Sequence, residues 1–365
     1  MSRAAAFRFL CGCLSLDTSP DRQAELRRTA RSGAVVWDTL VALASEQLVA
    51  PALSTALRQL DLVDILPSEA VDYFDGLATL NRQRNARVCA EAVALVHRLN
   101  GVGVVPVLLK GGANLLSGLY ADPAFRVMVD LDVLVPVERI SDCAAALHRH
   151  GYHVLFDSGF PAHHHYPALG QAGAAASVEL HVEVLDRSCS RLLGPAEVFA
   201  TAASVETEGT RFAVPSPEHR LIHTIAHVQL ANLDYILGRL ALRELLDFAL
   251  LSRAFAGAID WDDIARRFSE HRGATALSFH SLAAQDLLGV RTPVRLRGGK
   301  VARILYWRAK RQADQPELLG LTVWLLRPLV LLIRALSRAP LRRRLLRNMT
   351  DPVWYRRQWS IIRGR

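Results

Sequence analysis

The sequence predicts an α+β protein in which a small mixed-sheet core lies between helical regions at both ends. Three observations predict it. Apolar residues recur at helical spacing up to about residue 100. The period then changes, with short apolar and alternating runs between residues 104 and 190. From Ser216 the helical spacing returns. At 365 residues, half of them apolar and with ordinary charge content, the chain has ample material for a full core in several regions.

Taken in order, residues 1–103 form the first helical region. Phe7–Leu16, with Arg3 and Arg8 beside it, is too short an apolar run for a signal peptide and reads as an amphipathic first helix. Asp21–Arg31 and Val35–Leu60 follow with helical spacing, and Pro51 starts or kinks a segment. Leu66-Pro67-Ser68-Glu69 opens a long helix. Arg82, Gln83, Arg84 and Arg87 lie on one side of it, and Leu80, Val88, Ala92, Leu95, Val96 and Leu99 on the other. Asn100–Gly103 ends it.

Residues 104–212 form the core. Val104–Leu109 and Val127–Val135 are expected strands, Val137–His150 a helix closed by Gly151, and Tyr152–Phe156 and Ala176–Leu185 further strands. Residues 213–292 are expected to be helical, with segments Ser216–Leu230, Gly238–Leu251, Asp260–His271 and Thr275–Leu288. Pro293 and Gly298-Gly299 then mark off a tail, residues 293–365. No repeat of fixed period is present. Five scattered cysteines (Cys11, Cys13, Cys89, Cys143, Cys189) argue against a disulfide framework and for a reducing cytoplasm. Cys11 and Cys13 read as small buried residues.

The chemistry concentrates in residues 105–135. Asp130 and Asp132 sit in an otherwise apolar strand, where desolvating a carboxylate is costly, so they ask for a cation. Side chains at i and i+2 share a face about 6–7 Å apart, a spacing that lets both converge on Mg²⁺ or Mn²⁺. Ser177–Val184 alternates, which puts Glu179, His181 and Glu183 on one face. If that strand lies beside the Asp130/Asp132 strand, Glu179 completes a three-carboxylate cluster of the kind that two-metal phosphoryl transfer requires. Lys110-Gly111-Gly112 offers a turn whose amides can approach phosphate oxygens at a helix start, with Lys110 and Arg126 as candidate phosphate cations. GxxxxGK[ST] and GxGxxG are both absent. For His181 two readings stand, contact with a nucleotide or a hydrogen bond within the site. His163-His164-His165, flanked by Pro161 and Pro167, reads as a loop near the site rather than a zinc site. His223 and His227 share a helix face, but Thr224 stands where a zinc-protease helix carries Glu, so packing or a substrate-facing role is expected. Arg239, Arg243 and Glu244 either reach the cleft or pair at the surface.

Lys110-Gly111-Gly112, Tyr120-Ala121-Asp122-Pro123, Arg126, Asp130-Leu131-Asp132-Val133-Leu134-Val135 and Val178-Glu179-Leu180-His181 together resemble the uncharacterised bacterial nucleotidyltransferase family of the DNA polymerase β-like superfamily. The resemblance runs from about residue 30 to 290. It implies a minimal nucleotidyltransferase sheet with Asp130, Asp132 and Glu179 as metal ligands and catalytic carboxylates, Glu179 acting as base or through a second metal. Gly111 and Gly112 become the phosphate turn, and Lys110, Arg126 and His181 nucleotide contacts. The spacing from Gly112 to Asp130 is longer than in the commonest superfamily members. The implied activity is Mg-dependent transfer of an AMP-like group from an NTP such as ATP to a small-molecule, peptide or RNA acceptor, with natural-product or polysaccharide biosynthesis as a setting. A tRNA-modifying, toxin-like transferase and a non-catalytic scaffold of a biosynthetic complex are the alternatives.

The charge is unevenly spread. Residues 291–365 hold 19 Lys and Arg against 3 Asp and Glu, while the whole chain carries a net +9, so the remainder is mildly acidic. Leu318–Leu336 is apolar but holds Arg327, Pro328 and Arg334, which argues against a membrane span. With Arg342–Arg344, Trp354, Tyr355 and Trp359 behind it, the stretch 318–365 suits an anionic membrane surface on the cytoplasmic side, a helical cap on its own domain, or RNA.

Overall fold

The computed structural model describes residues 3–156, 165–186, 188–207, 209–336 and Pro352. Its centre is a seven-stranded mixed sheet. The strands are β1 (Val107–Leu108), β2 (Asp130–Leu134), β3 (His153–Phe156), β4 (Ala168–Gly170), β5 (Ser177–His181), β6 (Ala203–Thr207) and β7 (Thr210–Val214). They lie in the order β3-β4-β5-β2-β1-β7-β6. The predicted α+β architecture, a mixed sheet with helical flanks, is therefore the one observed.

The strands are shorter than the apolar runs suggest. Pro106 has no N–H to give a ladder, so β1 begins after it, although its carbonyl still accepts from Ala213 N at 2.8 Å. β5 stops at His181 rather than continuing to Leu185. Val184 and Leu185 turn out of the sheet into the apolar interior of the helical body. Glu183 therefore does not share the face of Glu179 and His181. The expected shared face of three is reduced to Glu179 and the buried His181. β4 and the β6–β7 hairpin were not anticipated. β7 inserts parallel to β1 and antiparallel to β6, which extends the sheet to Val214.

Two apolar interiors flank the sheet. One joins Leu131, Val133, Val178 and Leu180 to Val88, Leu95, Val96 and Leu99 of the helix Ser68–Asn100 and to Leu147 of the helix Ile140–Arg149. The other is helical and draws on both ends of the chain. Phe7, Phe9 and Leu10 pack with Leu40, Leu53, Phe74, Phe248, Phe268, Phe279 and Leu288. The first helix, Arg3–Cys13, is buried on nearly all sides rather than amphipathic, and Cys11 and Cys13 are buried and free, as expected. Because the side chains of β2 alternate, Leu131 and Val133 face the first interior, while Asp130 and Asp132 face the helical body.

The helix beginning at Pro217 starts at the predicted place, with Ser216 Oγ accepting from His219 N. It runs as α-helix only to Ile225 and continues as a π-helical turn, Ala226–Ala231. The segment expected as Gly238–Leu251 is displaced to Leu242–Ala254. Gly238, at φ +74°, closes the short helix Asp234–Leu237 instead. Helices Lys300–Asp314 and Pro316–Leu336 form the described part of the tail, and the second runs through Pro328 without ending. No helix among the described residues is long and apolar enough to cross a membrane. The basic aromatic cluster at Arg342–Trp359, with His163 and His164, lies outside the described residues.

Candidate active site

The site is built on the central strand pair. β2 and β5 run parallel and adjacent, with Asp130 opposite Ser177 and Asp132 opposite Glu179. The same register places His181 opposite Leu134, and its Nε2 lies 2.8 Å from Asp132 Oδ1 and 3.4 Å from Glu179 Oε2. Lys110 Nζ meets Asp132 Oδ1 at 2.5 Å. Lys110 opens the helix Lys110–Leu116 at φ +47°, so the strained backbone position of this turn falls on the lysine, not on the glycines after it. A Cβ at Gly111 would stand 2.7 Å from Met128 Sδ, so a larger residue there requires the Met128 side chain to shift.

These residues line a cavity of ≈ 320 Å³ between the sheet and the helical body. Lys110, Gly111, Arg126, Asp130, Asp132 and Glu179 all contribute to its wall. Gly112 lies beside the wall, with Leu131 next to it. From the helices come Arg220, His223, His227, Arg243, Glu244 and Asp247. Arg239 is not part of the lining. His165 bridges to the end of β5, its ring 5.3 Å from that of His181.

Charge here is closely matched. Burial opposes ionisation of Asp132, but Lys110 and His181 outweigh it and hold the carboxyl well below the usual range. A hydrogen bond from His181 likewise holds Glu179 down. Burial works against protonation of His181, yet hydrogen bonds to Asp132 and Glu179 raise its pKa. Asp130 has no such hydrogen-bond partner among the described residues: burial and the neighbouring Asp132 push its carboxyl up. His223 and His227 are kept neutral by burial and by Lys110, with His227 lowered to about 4.

Arg126, expected at a phosphate, is buried against acids. Its Nε donates to Asp247 Oδ2 at 2.9 Å, and its Nη2 lies 3.8 Å from Glu244 Oε1. Tyr120 Oη donates to the other oxygen of Asp247 at 2.7 Å. This triad ties the approach to β2 to the helix Leu242–Ala254. The opposite side of that approach is gripped by the long helix. Asn81 Nδ2 donates to the carbonyls of Ala124 and Arg126 at 2.6 and 3.1 Å, and Asn85 Nδ2 to those of Pro123 and Arg126 at 2.6 and 2.7 Å. Arg84 donates to the carbonyls of Met128 and Ala175, and Arg82 pairs with Asp122. The polar side of this helix is thus occupied in holding the backbone that delivers Asp130.

Asp132, Glu179 and His181 present ligand atoms within 4.8 Å of one another, and Asp130 stands on the same strand face. The carboxylate oxygens suit Mg²⁺. The imidazole nitrogen suits Mn²⁺ at least as well. His181, for which a nucleotide contact and a hydrogen bond within the site were both open, makes the hydrogen bond and is a member of the tightest group, and Asp130 lies outside that group on the same cavity wall.

Paired acids thus stand on adjacent parallel strands, with a Lys-Gly-Gly turn beside them. The chain belongs to the uncharacterised nucleotidyltransferase family, whose model matches residues 33–289. No curated protein and no solved structure matches the chain.

The residues not anticipated are Arg220, Asn114, Asp247, Asn81 and Asn85. The last two had a signal. Two asparagines four apart are poor helix formers, and both lie in line with the buried Val88 and Ala92.

Proposed function

We propose that the protein transfers a nucleoside monophosphate, AMP-like, from an NTP to an acceptor nucleophile with release of pyrophosphate. The observation that supports it best is the parallel register that sets Asp132 beside Glu179 in a cavity shared with Asp130 and Lys110. Asp130, Asp132 and Glu179 are the ligands for Mg²⁺ or Mn²⁺ in this reading. When bound, the cation neutralises phosphate charge and acidifies an acceptor hydroxyl. Amides at Gly111 and Gly112 meet phosphate oxygens, and Lys110 adds charge beside them. The acceptor proton passes to a carboxylate. Glu179 serves as that carboxylate in this reading, or acts through a second metal. Arg126, already compensated by Asp247 and Glu244, positions β2 more than it binds nucleotide.

The test supplies labelled NTPs to cell extract with the full chain or with the double variant Asp130→Asn, Asp132→Asn. A labelled acceptor with the first and none with the second is expected. Activity surviving in the double variant would sink the proposal. Label in tRNA would assign an RNA acceptor rather than a small molecule or peptide of a biosynthetic pathway. Failure of the wild type to bind Mg-NTP in calorimetry would favour a scaffold.

A second reading concerns the tail. Leu318, Leu321, Trp324, Leu325, Leu329 and Leu332 are exposed along the helix Pro316–Leu336, and Val301, Ile304 and Trp307 along the helix before it. With the surplus of Arg, this apolar surface fits the interface of an anionic membrane. Flotation with anionic liposomes that is lost on removing residues 316–365 is expected; equal flotation would count against it.

A further inference from the structure

Four Lys or Arg side chains line the cavity, and three of them have an acid partner. Lys110 has Asp132, Arg126 has Asp247, and Arg243 has Glu244 at 2.5 Å. Arg220 has no carboxylate within 4.0 Å among the described residues. It is nevertheless buried, with 7% of its surface exposed. Its guanidinium is held by neutral groups. Nε and Nη2 donate to Asn114 Oδ1 at 2.9 and 2.6 Å, Nη2 also donates to Ser117 Oγ at 3.1 Å, and the plane lies near the Phe255 ring at 6.0 Å.

A buried charge without a counter-ion is costly, and arginine stays ionised where other groups would neutralise. Burial lowers Arg220 to about 10, which still leaves it a cation at neutral pH. Asn114 on one helix, with Ser117 and Phe255 in the turns that follow two helices, fixes the guanidinium, yet Nη1 makes no hydrogen bond among the described residues. Its place relative to the acids is also fixed. Asn114 lies four residues after Lys110 on one helix, so the residue that holds Arg220 is about 6 Å further along that helix than the lysine that holds Asp132.

We infer that Arg220 is the seat of the terminal, leaving-group phosphates of the nucleotide, with the free face of its guanidinium taking phosphate oxygens. The inference rests on the nucleotidyl-transfer reading and adds a direction to it. The α-phosphorus lies at the acids, and the β- and γ-phosphates lie along the helix Lys110–Leu116 toward Arg220. Pyrophosphate, the part that leaves, then carries the charge that Arg220 lacks, and a nucleoside monophosphate does not reach it.

Calorimetry on the full chain with Mg²⁺ tests this without turnover, using ATP, AMP and inorganic pyrophosphate as separate probes on the wild type, Arg220→Gln and Arg220→Lys. Loss of one charge-assisted contact is expected to weaken ATP and pyrophosphate about 10–100-fold in Arg220→Gln and to move AMP less than about 2-fold. Arg220→Lys is expected to fall between, because an ammonium keeps the charge and loses the fork. If Arg220→Gln does not melt cooperatively, Arg220→Lys decides alone, and unchanged pyrophosphate affinity in it overturns the assignment. ATP binding equally to wild type and Arg220→Gln overturns the Arg220 site and leaves the transferase reading standing. Pyrophosphate binding that depends on Arg220, with no ATP binding, supports the anion seat and sinks the transferase reading. A wild type that binds neither overturns both.

Discussion

Removing the two asparagines of the long helix is expected to cost more together than the sum of the two alone. Asn81 and Asn85 each donate to two backbone carbonyls, and one of these, Arg126 O, is shared. Asn85 is fully buried and Asn81 nearly so. Asn85 even leaves its own Oδ1 without a partner to keep its amide on the carbonyls. Either Asn→Ala change removes two hydrogen bonds but leaves Arg126 O with one donor, a cost of about 1–2 kcal/mol. The double variant leaves that carbonyl with neither side-chain donor, and an unsatisfied buried group adds about 1–3 kcal/mol beyond the sum. The assay is urea unfolding of wild type, both single variants and the double variant, compared at constant m-value. Calorimetry with Mg-ATP runs beside it, because the segment 122–128 delivers Asp130. Strict additivity, within about 0.5 kcal/mol, would refute the shared-carbonyl argument. So would single variants as stable as the wild type.

Other consequences can be checked in the same preparations. Burial raises Asp234 to about 7, so the folded chain holds a proton that the unfolded chain releases near pH 4. Stability attributable to this group is full below pH 4 and falls as pH rises to 7, by up to about 4 kcal/mol. Asp234→Asn should therefore stabilise at pH 8 and not at pH 4 in thermal melts. An equal gain at both pH values would contradict the assignment. Lys110→Met strips Asp132 of its cation and should destabilise by about 3–5 kcal/mol, with Mn²⁺ or Mg²⁺ restoring more of the melting temperature than it adds to wild type. A variant indifferent to divalent cations would count against the carboxylates as ligands. Tyr120→Phe leaves one oxygen of the buried Asp247 without its donor and should cost about 1–3 kcal/mol, read by urea unfolding.

Much of the acidic half of the site was legible in the sequence. Carboxylates at i and i+2 in an apolar strand, and a second strand with Glu179 and His181 in alternation, carry their facing with them because a strand has a period of two. That the two strands are neighbours was a condition, met by the parallel register of β2 with β5. Of the cationic half, Lys110, Arg126 and Arg243 were legible in the sequence, but Arg220 was not. Arg220 and Asp247 sit on helices whose sequences also fit ordinary surface residues. Only the tertiary packing shows that Asp247 is paired with Arg126 and that Arg220 has no carboxylate partner among the described residues. Short strands escaped for a related reason. β4 has three residues, too few to show a period. β6 is mostly exposed, so its pattern lacks the apolar alternation by which strands are found. The end of β5 was misplaced because Val182 and Val184 continue the alternation after the backbone has left the sheet.

The helical body that closes the cavity is assembled from the two ends of the chain, and this has a consequence for synthesis. The helix Arg3–Cys13 is buried on nearly all sides, and part of its partner surface belongs to the helices Ala274–Leu288 and Lys300–Asp314. Leu16 N even donates to Leu288 O at 2.9 Å. At about 5–20 residues per second, the roughly 260 residues between them take on the order of 15–50 s to be made. For that interval Phe7, Phe9 and Leu10 are without part of their native cover on the ribosome.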